Sequence, residues 1–389
     1  MRSFAVLLLA ALPAVAVAQA PPCTPVPIEF FSRPQNLFAK GLPAGTRLAS
    51  DRKTLGLLVP RLPDGHELFL VRGEEIVSEL WLPVPKQRSF LRAPMFYLSD
   101  DGDVAILRSA DFAAVYAGGS LTAVIEDEHI RGANVAVAGG QLYWAPNPTA
   151  QEMATVFKQV RATKPESEDW PALLMRSELD GSDHEVLLRL EEQQLGDGDR
   201  VALYHTLSPA ARPDRKLWLV GNFSGEVMLT SGSGHVERRF QLPGALKRPE
   251  DEPEARAKAD EELQRDARKD VERLHTDATK PPPKRVEIVT LNRSRLFHGI
   301  WARGRDLVVR LATSDPPEGS ILVIDDAGES ARCFTFPGML RGNDEAALQV
   351  AVTDDAIWFR KPFGFITWDS LDALSEPKRK PTRPVPARP

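Results

Sequence analysis

From Leu48 onward the chain alternates short apolar runs with polar pairs rich in aspartate and glycine. The clearest instance is Leu173 to Leu190, where two such runs flank Asp180-Gly181. An Asp-Gly pair tolerates the positive φ angles of a tight turn, so this stretch predicts an antiparallel hairpin. Related units recur on both sides. The first combines Leu55 to Val59, a turn at Pro63-Asp64-Gly65, Leu68 to Arg72 and Ile76 to Leu82. The second repeats it with Val104 to Arg108, Ala113 to Tyr116 and Leu121 to Ile125.

Leu55, Val104, Leu142, Leu217, Leu307 and Ile357 mark the second strand of each of six units. Two intervals are long because a polar stretch near 151–169 and a charged block at 246–284 interrupt the pattern. Without them the units run roughly 40 to 50 residues, the period of four-stranded propeller blades. Regular strand spacing also fits packed sandwiches or separate β domains. The sixth unit supplies three strands before the chain turns polar at Asp369. An open blade edge is a pairing liability, and the isolated apolar run Ile28 to Phe31 is the strand predicted to fill it.

Met175-Arg176-Ser177-Glu178-Leu179-Asp180-Gly181-Ser182 resembles the recurring hairpin of six-bladed propellers of the TolB and YWTD type. Ile321-Leu322-Val323-Ile324-Asp325-Asp326-Ala327-Gly328 is similar to the outer hairpin of NHL-type blades. The YWTD tetrapeptide is absent and no NHL signature is intact, so the resemblance implies an architecture and carries no ligand set. That architecture is an all-β, six-bladed propeller of four-stranded antiparallel blades with a charged helical insertion.

The 389 residues, 42% hydrophobic and 26% charged, suffice for a large buried core. A formal net charge of −5 gives no field that would draw the chain onto nucleic acid. Arg2, the apolar run Phe4 to Val15 and Ala16-Val17-Ala18 read as a signal peptide over residues 1–18, cleaved after Ala18. That run is shorter than the ~20 residues of a spanning helix, and no other stretch is predicted to cross a membrane. The expected product is therefore exported and soluble, in the periplasm or outside the cell. In that oxidising setting Cys23 and Cys333 are candidates for a structural disulfide. Closing so long a loop would stabilise by about 4 to 5 kcal/mol on a chain-entropy view; two unpaired thiols are the alternative. Residues 19–376 are assigned to the propeller and 377–389 to a basic, proline-rich, extended tail. Glu254 to His275 reads as a helix with a thin apolar stripe at Ala259, Leu263, Ala267, Val271 and Leu274.

Candidate chemistry is sparse. None of His66, His129, His184, His205, His235, His275 and His298 has the close spacing of a zinc motif. His66, His184 and His235 are expected to be exposed at or beside turns. Asp197-Gly198-Asp199 and Asp100-Asp101-Gly102-Asp103 lack the full alternating acidic loop of a calcium site and read as turns. Ser231-Gly232-Ser233-Gly234-His235 lacks the Gly-x-Ser-x-Gly spacing of a nucleophile elbow and reads as a hairpin loop. Trp144, Trp218, Trp301 and Trp358 recur at related strand positions, where they either pack between blades or line a ligand face.

The leading expectation is an exported binding or interaction module that takes a protein or small ligand at the propeller face. No motif implies a cofactor or catalytic residues. Two alternatives fit the same chain: a lactonase-like hydrolase holding a divalent cation in the central channel with carboxylates from several blades, and a structural part of an envelope assembly.

Overall fold

The computed structural model describes residues 22–34, 38, 41–61, 63–86, 88, 90, 94–99, 102–109, 111–126, 130, 133–146, 171–189, 207–222, 224–242, 296–312, 319–337 and 350–375. The expected signal peptide, the insertion at 151–169, the charged block at 246–284 with its helix, the motif at 197–199 and the tail at 377–389 lie outside the described residues.

The first strand is β1 (Cys23–Pro25). Blade 1 comprises β2 (Arg47–Asp51), β3 (Thr54–Arg61), β4 (Gly65–Arg72) and β5 (Glu75–Pro83). Blade 2 comprises β6 (Met95–Ser99), β7 (Val104–Arg108), β8 (Ala113–Ala117) and β9 (Ser120–Ile125). Blade 3 comprises β10 (Asn134–Ala138), β11 (Gln141–Ala145), β12 (Ala172–Glu178) and β13 (Glu185–Arg189). Blade 4 comprises β14 (Leu207–Ala211), β15 (Leu217–Gly221), β16 (Glu226–Thr230) and β17 (Val236–Gln241). Blade 5 comprises β18 (Phe297–Arg303), β19 (Asp306–Leu311), β20 (Ile321–Ile324) and β21 (Ala331–Thr335). Blade 6 has three strands, β22 (Val350–Val352), β23 (Ala356–Phe359) and β24 (Gly364–Thr367), followed by helix α1 (Trp368–Ser375).

Strands within each blade pair antiparallel in sequence order, and each blade's first strand touches the first strand of the next, with β22 returning to β2. The result is a closed six-bladed propeller. Six apolar clusters fill its six interfaces; Leu55, Leu57 and Val71 of blade 1, for example, meet Ala351, Trp358 and Phe365 of blade 6. Burial on both faces explains why the central strands read as unbroken apolar runs rather than as alternation. All six predicted anchors fall on second strands and are buried.

The N-terminal segment departs from expectation. Ile28–Phe30 forms a 3-10 turn instead of a strand. The added strand is β1, which pairs parallel with β21 and makes blade 5 five-stranded. Pro25 and Pro27 flank the register break, and proline cannot donate to a ladder. The chain then reaches the open edge of blade 6 at one antiparallel bridge, Ser32 to Phe365. Gly364 permits that approach, because a Cβ there would lie 2.4 Å from the Phe31 ring and from the Ser32 carbonyl. Cys23 stands opposite Cys333 in the β1–β21 register, with Cα atoms 4.4 Å apart and the sulfurs at disulfide distance. The hairpin at Asp180-Gly181 is present, but residues 179–184 form a longer loop in which Asp180 Oδ1 accepts the Ser182 N–H at 2.8 Å. Helix α1 was not anticipated. It buries Trp368 and Leu371, and Asp372 pairs with Arg332 and Arg303 of blade 5. Among the described residues no helix is long and apolar enough to cross a membrane.

His66 corrects an expectation of exposure. It shares the β4 parity of Leu68 and Leu70, which face blade 2, and is only 1% exposed, set edge-on to Phe90 at 5.3 Å. Neither ring nitrogen has a hydrogen-bond partner. Burial pushes the imidazole down from 6.5 to about 4. The unfolded chain therefore binds more protons than the folded one between these values, and stability falls as pH falls through that window. About 2 kcal/mol should be lost between pH 7 and pH 5. Denaturant titrations at both pH values check this, with His66→Phe expected to remove that component. A second prediction concerns the cysteines, 310 residues apart. Reduction should cost about 2 to 5 kcal/mol in the wild type, and should have no effect on a Cys23→Ser, Cys333→Ser variant.

Candidate functional site

The six first strands surround an axial channel whose cavity is about 210 Å³. Its wall is uneven because each short strand contributes alternate residues to the axis. On the side of blades 3 and 4, Asn134 Nδ2 donates to Leu207 O at 2.9 Å and Ser208 Oγ at 3.2 Å, and Ser208 Oγ donates to Asn222 Oδ1 at 2.7 Å. Val350, Val352, Ile300 and Trp301 form an apolar side on blades 5 and 6. Tyr97 also lines the channel, and its hydroxyl is buried without a hydrogen-bond partner.

At the C-terminal ends of the first strands the channel opens into a mouth of about 300 Å³ to which every blade contributes. The two spaces share Asp51, Arg52, Val137, Ala211 and Ala302 in their walls, so they adjoin. Short turns between first and second strands frame this mouth. Arg52 occupies such a turn in blade 1 at φ 45°, and Arg215 occupies another in blade 4 at φ 63°. Arg212 is buried beside them, donating to Asp214 and Asp326 with its guanidinium 5.1 Å from the Trp218 ring centroid. Burial pushes the Asp214 carboxyl up, but bonds and charge from Arg212 and Lys216 outweigh it and hold the group below its ordinary range. Asp354 Oδ1 accepts the Gly304 N–H at 3.0 Å. From the mouth a cleft extends past Gly139 and Arg215 between blades 3 and 4. There Tyr143 Oη and Arg176 Nη1 both donate to Gly232 O, at 3.1 and 3.0 Å.

The site residues weighed from sequence are dispersed. His184 and His235 are exposed, whereas His298 lines the channel; His129, His205 and His275 lie outside the described residues. His298 sits four residues before Ala302 on β18, roughly 13 Å of strand rise from the mouth where Asp51 stands. Among the described residues no group of three His, Cys, Asp or Glu side chains is placed to hold a metal ion. The Ser231 to His235 segment is a hairpin loop, with Ser231 Oγ accepting the His235 N–H at 3.2 Å. Of the recurring tryptophans, Trp144, Trp218 and Trp358 occupy second strands and are buried between blades. Trp301 differs: it lies on the first strand β18 and lines the channel. Sequence reasoning missed the Asn134, Ser208 and Asn222 set because its members are isolated polar residues split between blades 3 and 4, and periodicity does not mark them.

No family profile and no curated protein sequence matches the chain. Among solved structures, a DUF4221 family member from Bacteroides vulgatus aligns at TM-score 0.45 and 10% identity, covering 82% of this chain and 87% of that one. An exported protein of Bacteroides fragilis aligns at TM-score 0.43 and 9% identity, covering 84% and 82%. BamB from Moraxella catarrhalis aligns at TM-score 0.35 and 8% identity, covering 84% and 72%.

The two tryptophan environments predict opposite consequences of truncation. Trp218→Ala, which empties an interface and removes the indole bond to Arg305 O, should cost about 3 to 5 kcal/mol. Trp301→Ala, at the partly exposed channel wall, should cost less than half as much. Urea denaturation of both variants measures the difference.

Proposed function

We propose that the chain is an exported binding module whose ligand occupies the channel and its short-turn mouth. The observation that carries this reading is the axial channel with its adjoining mouth, each walled by all six blades, the channel polar on one side and apolar on the other. Binding sites are commonly concave, mostly apolar spaces with a few placed polar groups. The Asn134, Ser208 and Asn222 bonds hold those polar groups in place before a ligand arrives, which limits the ordering cost of binding. The short-turn mouth is the favoured entrance because compact, hydrogen-bonded turns frame it. Export is supported by the leader read at residues 1–18 and by the Cys23–Cys333 proximity, which suits an oxidising compartment.

This reading separates from that of a metal-dependent hydrolase in one experiment. Protein beginning at Gln19 should carry no stoichiometric divalent ion, keep its melting temperature in chelator, and hydrolyse a panel of lactones and esters no faster than buffer. A bound ion whose removal lowers the melting temperature, together with turnover, would contradict it. Elemental analysis, thermal unfolding and pH-stat assays supply the three readouts.

A further inference from the structure

Arg52 and Arg215 reach the same mouth from blades 1 and 4, which stand opposite each other in a six-blade ring. Both adopt positive φ, a conformation that costs a side-chain-bearing residue about 1 kcal/mol or more and that glycine or asparagine would fill without that cost. Unusual backbone at a cavity rim is a pointer to function. Neither guanidinium takes part in an ion pair among the described residues, whereas Arg212 beside them is satisfied by two carboxylates. Two unmatched forked donors facing one cavity suit a planar carboxylate. Asp51 and Asp354 also line the mouth, and their charge disfavours a dianion such as a phosphate monoester. Behind the mouth lies a channel of about 210 Å³, equivalent to about seven waters at ~30 Å³ each. That space admits a short chain or a single ring.

We infer that the mouth is a monocarboxylate site: Arg52 and Arg215 hold the carboxylate of a small organic acid. The apolar body of that acid enters the channel. This inference rests on the binding reading above and specifies its ligand class.

The test uses protein from Gln19 to Pro389 and a panel of straight-chain and aryl monocarboxylic acids of four to ten carbons (about the size allowed by the channel). The panel includes hydroxylated members, and each acid is compared with its primary amide. Calorimetry and ligand-detected NMR should find acids that bind at least tenfold tighter than their amides. Arg52→Gln and Arg215→Gln should each weaken binding tenfold or more without lowering the melting temperature. Lys53→Gln, which removes an exposed charge from the same turn, should leave affinity unchanged. Equal binding of acids and amides, no binding across the panel, or equal losses in the Lys53 and arginine variants would overturn the site. Such a result alongside an unchanged metal and chelator outcome would remove the carboxylate site and leave the binding module standing.

Discussion

Ring closure is the constraint on which the rest of this structure depends. A blade of three or four strands is apolar on both faces, and neither face is stable in water unless a neighbouring blade covers it. Five interfaces form between consecutive blades, but the sixth must bring blade 6 back to blade 1. There Ser50 Oγ donates to Val352 O at 2.6 Å and accepts the Val352 N–H at 2.9 Å, and the Asp354 N–H donates to Arg52 O at 2.7 Å. Leu55, Leu57, Trp358 and Phe365 complete the apolar seam. The proximity of Cys23 and Cys333 serves a different junction, tying the start of the chain to blade 5. The N-terminal segment is thus secured in two places: β1 on blade 5 and Ser32 on blade 6.

Closure also creates the candidate site. Six first strands brought around one axis leave a narrow space, and residues distant in sequence face each other across it. The hydrogen bonds of Ser50, Ser99 and Asn134 run between adjacent blades along this wall. They hold the channel geometry with the same contacts that hold the ring. At the short-turn end the strands finish in hairpins whose polar side chains have nowhere to go but the mouth or solvent. Arg212 resolves this by turning under Trp218 and bonding two aspartates; Arg52 and Arg215 form no ion pair among the described residues.

Much of the fold was legible in the sequence because blade interfaces impose a repeating apolar pattern. Leu55, Val104, Leu142, Leu217, Leu307 and Ile357 each announce a second strand buried on both sides. That blade 6 has three strands among the described residues was also legible, because the chain turns polar after Trp368. The N-terminal strand was misplaced because Ile28 to Phe31 has the apolar composition of a strand, whereas β1 is a three-residue Cys-Thr-Pro segment held by its alignment with β21. His66 was misread because a turn precedes it, and only the parity of β4 turns it inward. The candidate site was almost wholly illegible. Asn134 and Ser208 gain meaning from their position around the axis, and left-handed backbone at Arg52 and Arg215 has no signature in residue type.

The central claim is that a ligand enters at the short-turn mouth and is held by Arg52 and Arg215, which form no ion pair among the described residues. Arginine-directed labelling with phenylglyoxal, followed residue by residue by mass spectrometry, tests it most directly. Arg52 and Arg215 should react quickly and Arg212, with a side chain only 2% exposed, should not. A saturating monocarboxylic acid should slow the first two and leave exposed arginines elsewhere unchanged. Rapid labelling of Arg212, or acid that slows all exposed arginines alike, would contradict the account.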